Sequence, residues 1–591
     1  MNRTFVICLV GVLAWTPWGI GSIALGQEAA EAEAATPAPI IEPEHLPNPA
    51  SVARGDQMMV VGSDPIGVEE AYKVLESGGN AVDAAVVMGF VMAVTYPRAG
   101  NLGGGGFMLI SENSHRTYAL DYRERAPIDA TTDLLLDDNG EPDRNKALFS
   151  HLSSGVPGTP AGLLLALSKY GTLTRQQALA PAIRLAEEGF EVDQQFHDSL
   201  IKGAIHLKRW PETARIFFKE DGEVYEVGEV FKQPDLAATL KRISLQGRAG
   251  FYQGPTAEAI AKQMKENGGL INLLDLNAYQ PALRKPVRGS YRGYEVLSMP
   301  PPSSGGVHVI QILNTLEEYP IQKWGANQTE TTHVMAEAMK IAYADRAWYM
   351  GDADFERVPV QRLTDERLGR VLKAKISLKK AKPSSEIAPT RFRGYEYPST
   401  THFSIIDKEG RAVSNTYTLN FSFGSGIVVA GTGVLMNNQM DDFTSKPGEP
   451  NAYGLIGSKA NAIEPKKRML SSMSPTILRD GRSKKVVLVT GSPGGSRIIT
   501  TVVQVIENFV DHGMSLEDAV SAPRMHHQWM PDQIELEPGY NPEVVAPLQE
   551  KGHTLQPSRY WGAANSIAVD AKSGVITGVA DPRRRGLAKG K

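Results

Sequence analysis

Between Lys379 and Ser399 the chain loses its hydrophobic period, then regains it abruptly. The stretch holds Lys379, Lys380, Lys382, Pro383, Ser384, Ser385, Pro389 and Pro398 and reads as an exposed loop. Structureless runs of that length are uncommon inside a compact body and are often functional. Residues 400–407, then Lys408-Glu409-Gly410, then 411–419 read as strand, tight turn and strand. A hydroxyl residue therefore stands where a loop enters a sheet, and scission of the loop there would leave Thr400 as a new N-terminus on a rigid strand. A threonine hydroxyl is a poor nucleophile at neutral pH without an adjacent base. A free α-amine, with an ordinary pKa of about 7.7–8, is such a base. The other reading is that Thr400 and Thr401 are plain strand residues, since threonine is common in strands.

The N-terminus reads as an export signal. Met1-Asn2-Arg3 is a short basic start, residues 5–15 are apolar, and Ala24-Leu25-Gly26 supplies small residues before polar Gln27-Glu28, so cleavage is expected after Gly26. An uncleaved anchor is the alternative, disfavoured by Pro17 and Gly19. No later segment has the ~18 uninterrupted apolar residues of a spanning helix. The expected product is periplasmic or secreted. Cys8 is the only cysteine among 591 residues, which excludes a disulfide scaffold, a multi-cysteine zinc site and an iron–sulfur cluster within one chain. Lys and Arg total 62 against 66 Asp and Glu, a net charge of −4, without the basic excess of a nucleic-acid binder. With 42% hydrophobic and 22% charged residues the chain is globular rather than disordered.

Residues 27–54 are rich in Ala, Glu and Pro and read as a disordered lead-in. From Gly55 onward helices and strands mix. Helices are expected over 67–78 and 81–94, the second nearly all apolar and so buried. Strands are expected over 107–110 and 117–120. Further helices are predicted over 181–188, with Pro181 at the first position, over 256–267 and over 332–349. Tyr291, Tyr294, Val296 and Leu297 predict one more strand.

Four other clusters could carry chemistry. Gly491-Ser492-Pro493-Gly494-Gly495-Ser496-Arg497 follows a strand at 486–489 and precedes a helix at 498–509. Adjacent glycines let N–H groups converge on an anion at a helix N-terminus, as an oxyanion hole requires. A plain tight turn is the alternative. The run lacks the endings of a P-loop and of a dinucleotide fold. Leu470-Ser471-Ser472-Met473-Ser474-Pro475 and Asn437-Asn438-Gln439-Met440-Asp441-Asp442-Phe443 read either as turns and caps or as a zwitterion site. In the second case hydroxyls donate to a carboxylate, while Asp442 and the amides accept from an ammonium. Asp121-Tyr122-Arg123-Glu124 ends a strand, and Arg123 is either solvated or placed to fork onto a carboxylate.

Together these strings closely resemble gamma-glutamyltransferases of the N-terminal nucleophile hydrolase superfamily. The shared strings also include Gly103-Gly104-Gly105-Gly106-Phe107-Met108, Gly155-Val156-Pro157-Gly158-Thr159, Met299-Pro300-Pro301-Pro302-Ser303-Ser304-Gly305-Gly306 and Thr400-Thr401-His402. The likeness runs from about Gly55 to Arg583. It implies an α+β fold, a four-layer αββα sandwich, made as one precursor that cuts itself between Ser399 and Thr400. Residues 55–399 would form the large subunit and 400–591 the small catalytic one, the two staying associated through a shared core.

Carried over by position, the resemblance makes Thr400 the nucleophile and its α-amine the base, oriented by Thr418, with Gly494 and Gly495 N–H groups holding the oxyanion. Arg123, Ser471 and Ser472 would grip the α-carboxylate of a γ-glutamyl donor, and Asn420, Gln439 and Asp442 its α-ammonium. The segment 447–458, with Tyr453, is similar to the lid of lid-bearing members. Phe421 departs from the small polar residue of many relatives and bears on acceptor choice. The implied reaction takes a γ-glutamyl group from glutathione or a related amide and gives it to water, an amino acid or a short peptide, with no cofactor or metal. His308, His402, His526 and His527 form no His-Glu-x-x-His pattern, and His526-His527 reads as packing or surface. A glutaryl-cephalosporin acylase of the same superfamily and an inactive γ-glutamyl-binding protein are the competing readings.

Overall fold

Alternate residues of the apolar strands face different cores, as a two-residue period demands. Met59, Val61, Phe107, Leu109, Leu297, Ile477, Val489 and Ile567 meet in one buried cluster. Their neighbours Val60, Met108 and Ile110 join a second cluster with the helical residues of 81–95, and Val296, Leu478 and Leu488 join a third with helical residues of 305–316 and 497–510. Two sheets lie face to face, each with helices on its outer side. The computed structural model describes residues 46–112, 116–387 and 400–591. The expected export signal, most of the lead-in and Ser399 lie outside the described residues.

The first sheet runs, in spatial order, Leu587–Gly590, Met59–Gly62, Thr401–Ile406, Ala412–Thr418, Gly105–Ser111, Thr117–Asp121 and Ala282–Arg284. The second runs Ser51–Gly55, Ile576–Ala580, Ser566–Val569, Val486–Thr490, Thr476–Asp480, Tyr294–Ser298 and Val287–Tyr291. Every pairing in the two sheets is antiparallel. Both sheets interleave strands from before and after residue 400. The fold is the αββα sandwich of the N-terminal nucleophile hydrolases. Among the described residues no helix is long and apolar enough to cross a membrane.

The space between the sheets is polar near Thr400. His402 Nδ1 lies 2.8 Å from Thr416 Oγ1, Ser414 Oγ donates to Thr490 O at 3.0 Å, and Thr490 Oγ1 lies 2.7 Å from Ser566 Oγ. Each hydroxyl has a partner, as burial requires. Burial lowers the His402 pKa to about 3, so its ring is a neutral structural element.

Four expectations change. The helix expected to begin at Pro181 spans Arg175–Glu188. A capping box of Thr174 and Gln177 starts it, and Pro181 sits inside, where its missing N–H forfeits one bond that the buried face of Ala178, Leu179, Ala182 and Leu185 outweighs. The single strand expected across 291–297 is a hairpin, Val287–Tyr291 with Tyr294–Ser298, turned by Arg292 and Gly293 with φ of 49° and 87°, the two left-handed residues of a type I′ turn. The lead-in ends before residue 54, because Ser51–Gly55 pairs with Ile576–Ala580 through main-chain bonds that need no apolar pattern. The start of the expected exposed loop is fastened: Ser384 Oγ donates to Asp532 at 2.7 Å and Trp529 Nε1 donates to Ser384 O at 2.8 Å. Residues 388–399 lie outside the described residues.

Candidate active site

Thr400 sits at the head of strand Thr401–Ile406, and the neighbouring strand ends at Thr418. The antiparallel register that sets Thr401 opposite Tyr417 brings the two threonines together, with Oγ1 atoms 3.2 Å apart. Thr418 Oγ1 also accepts from Asn420 N at 2.9 Å, where the chain turns through a left-handed φ of 80°. Arg584 Nη1 donates to Thr400 O at 2.9 Å and fixes the main chain at the head of this strand.

Thr400 opens into a small pocket. Arg123, Thr418, Asn420, Gln439, Asp442, Tyr453, Ser471, Ser472 and Gly495 line it with Thr400. Of the residues singled out in the sequence only Gly494 stands outside this lining, and it adjoins Gly495.

The Gly494–Gly495 turn has φ of 140° and 55°. Gly494 O accepts from Arg497 N at 3.0 Å, which begins the helix Arg497–Val510. The N–H groups of Gly494 and Gly495 have no hydrogen-bond partner among the described residues, as expected of donors at a helix start. At Gly491 a Cβ would stand 2.4 Å from the His402 ring. Only glycine lets this turn press onto the strand that carries Thr400.

Arg123, fully buried, pairs with Asp442, and Gln439 Nε2 donates to the same carboxylate oxygen at 2.7 Å. Polar capacity is nevertheless left over. Arg123 Nη1 and Gln439 Oε1 are buried without a hydrogen-bond partner, as are both oxygens of Glu124 and Asp441 Oδ2. Arg123 and Gln439 both line the pocket, and an unmet donor and acceptor there mark a place for a polar ligand. Arg123 Nη1, 3.7 Å from Glu124 Oε2, suits a carboxylate, and Gln439 Oε1 with Asp442 suits an ammonium. Burial pushes the Glu124 carboxyl up to about 7, although Arg123 opposes the shift. Burial, reinforced by the charge of Asp442, raises Asp441 to about 7.

Tyr453 closes one side. Its hydroxyl donates to Asn420 O at 3.0 Å and its main-chain O accepts from Gln528 Nε2 at 3.3 Å. Its ring stacks on Phe421, with centroids 4.9 Å apart and planes at 17°. Phe421, expected to bear on acceptor choice, thus packs against Tyr453. Asn420 spends its side-chain N–H on Asn438 O at 2.9 Å.

Sequence reasoning missed Arg346 and Arg584, which hydrogen-bond to the lining residues Ser472 and Thr400. Arg346 was legible only as a charge on an otherwise buried face of the helix Thr329–Tyr349. His526 and His527 are both buried. Elsewhere His333, Glu337 and His553 bring ligand-type atoms within 4.8 Å of one another. They are already engaged: His333 Nδ1 lies 2.7 Å from His553 Nε2, and Glu337 pairs with Lys340. An ammonium at that point opposes a cation.

The gamma-glutamyltranspeptidase family model matches residues 68–590. The chain is 48% identical, over 93% of its length and 95% of the relative's, to the glutathione hydrolase proenzyme of Escherichia coli (strain K12). Among solved structures it is similar to a cephalosporin acylase from Bacillus halodurans, with TM-score 0.80 at 26% identity, covering 93% of this chain and 99% of that one. It is also similar to the Helicobacter pylori gamma-glutamyltranspeptidase, with TM-score 0.55 at 46% identity, covering 55% of this chain and 94% of that one. A threonine pair at the mouth of an αββα sandwich, a two-sign pocket beside it and a match over most of the length agree: this chain belongs to the gamma-glutamyltranspeptidase family.

Proposed function

We propose that the chain is a gamma-glutamyltransferase and glutathione hydrolase that matures by cutting itself between Ser399 and Thr400. The observation that carries this is the Thr400–Thr418 pair opening directly onto a pocket with an unmet cationic donor at Arg123 and an unmet acceptor at Gln439. In maturation Thr400 Oγ1 attacks the Ser399 carbonyl, the acyl group moves from nitrogen to oxygen, and water hydrolyses the ester. The products are a Ser399 carboxylate and a free Thr400 α-amine. Residues 55–399 and 400–591 then form two subunits, held together because both sheets contain strands of each.

In turnover the α-amine takes the Thr400 hydroxyl proton and the oxygen attacks the γ-carbonyl of the donor. Gly494 and Gly495 N–H groups receive the developing oxyanion, where one such donor is worth ~2.7–4 kcal/mol of barrier. The leaving amine, cysteinylglycine when the donor is glutathione, departs with the proton. Water, an amino acid or a short peptide then takes the glutamyl group from the threonine ester. Arg123, Ser471 and Ser472 hold the donor carboxylate; Asp442, Gln439 and Asn420 hold its ammonium. The lid around Tyr453 excludes bulk water. Export through residues 1–26 to the periplasm or medium completes the reading.

A glutaryl-accepting amidase would leave Asp442 and Gln439 without a cationic partner. The test compares γ-glutamyl p-nitroanilide with glutaryl p-nitroanilide on purified protein. Faster release from the γ-glutamyl compound is expected. Preference for the glutaryl compound would identify an acylase instead, and an uncut chain inert to both would identify a binding protein.

A further inference from the structure

Behind the serine pair lies a buried cation without a counter-charge. Arg346, near the end of the helix Thr329–Tyr349, is buried. Its Nε donates to Ser304 Oγ at 3.0 Å and its Nη2 to Ser472 Oγ at 3.2 Å. Both partners are neutral hydroxyls, and no carboxylate comes within ion-pair distance of Arg346 among the described residues. The acid whose charge acts on it, Asp442, is already claimed by Arg123 and Gln439. Burial accordingly lowers the Arg346 pKa to about 10, and Arg123 pushes in the same direction. A buried guanidinium normally has an anionic partner.

The polarity of the bonds adds direction. A guanidinium only donates. Ser472 Oγ is therefore the acceptor, and its own proton is left to point elsewhere. Ser472 lines the pocket beside Thr400. Ser304 Oγ accepts from Arg346 in the same way and passes its proton to Ser471 O at 2.7 Å. Arg346 thus fixes the hydroxyl of one pocket serine and, through Ser304, the main chain of the other.

We propose that Arg346 is a positioning residue for the donor α-carboxylate: it turns Ser472 into a hydrogen-bond donor and supplies, beside Arg123, a second positive charge that makes the enzyme select donors bearing that carboxylate. The proposal rests on the γ-glutamyl reading of the pocket.

Two donors separate the contributions. γ-Glutamyl p-nitroanilide carries the α-carboxylate, and 4-aminobutyryl p-nitroanilide is the same acyl group without it. The ratio of their kcat/KM values cancels the fraction of enzyme that is folded and processed. Wild type is expected to favour the carboxylated donor strongly. In Arg346→Gln that preference should fall about tenfold or more, chiefly through a higher KM for the γ-glutamyl compound. Arg346→Lys, which keeps the charge, should recover part of it. A preference within about twofold of wild type in Arg346→Gln, whatever happens to absolute activity, would overturn the proposal and leave Arg346 a packing residue. If wild type itself turns over both donors equally, the γ-glutamyl reading of the pocket fails first.

Discussion

Tyr453 and Gly495 are coupled by contact, and the coupling can be measured. A Cβ at Gly495 would stand 2.6 Å from Cδ1 and Cε1 of the Tyr453 ring. Gly495→Ala must therefore displace that ring as well as hold alanine at a φ of 55°. The backbone cost is about 1–2 kcal/mol. Displacing the ring forfeits the Tyr453–Asn420 hydrogen bond, about 1 kcal/mol, and the stack on Phe421, another ~1 kcal/mol. Closure of the lid should weaken by about 2 kcal/mol, roughly 30-fold in donor capture. Tyr453→Ala loses the same two contacts and should cost the same ~2 kcal/mol. The double variant has no ring left to displace, so its loss in kcat/KM should stay near ~2 kcal/mol rather than reach the ~4 of simple addition. The assay is kcat/KM for γ-glutamyl p-nitroanilide with wild type and the three variants, each quantified as processed enzyme. Losses that add within ~0.5 kcal/mol would refute the lid contact as a determinant of turnover.

Thr400→Ala should remain a single chain and show no turnover, because it lacks both the oxygen that attacks Ser399 and the one that attacks the donor; two fragments on a denaturing gel would misplace the cut. Arg123→Ala should raise KM for γ-glutamyl donors strongly, since the guanidinium paired with Asp442 is lost; an unchanged KM would remove Arg123 from the donor site. The pH dependence of stability follows from Glu124 and Asp441, whose carboxyls are pushed up to about 7 in the fold. Folded protein holds their protons while the unfolded chain releases them near the ordinary carboxylate range of about 4. Their contribution is therefore complete below that range and is lost as pH rises through about 7. Calorimetry should show Tm falling between pH 5 and 8, and falling less steeply in Glu124→Gln; an identical slope would mean that Glu124 is ionised throughout.

Local sequence carried the strands well where alternation was strict. Phe107 to Ile110 and Thr400 to Leu419 were readable because each buries both faces, one against the other sheet and one against helices. Pro181 misled because a proline usually marks a helix start, and here a Thr174–Gln177 cap had already started it. The edge strand at 51–55 was invisible, since its partners supply main-chain bonds and its side chains stay partly exposed. The site followed the same division. Thr400, Arg123, Asp442 and the two glycines lie in strings that alone read equally as strand residues, turns or caps, and only their joint resemblance to one family singled them out. Arg346 and Arg584 act on serine and threonine atoms more than a hundred residues away in the chain, and only the packed fold brings them there.

The central claim is that the working enzyme carries a threonine amine made by backbone scission. Intact mass measurement with N-terminal sequencing of active, purified protein tests it most directly. Two polypeptides should appear, one beginning Thr-Thr-His-Phe at residue 400. Full γ-glutamyl anilide activity from one unbroken chain would contradict it.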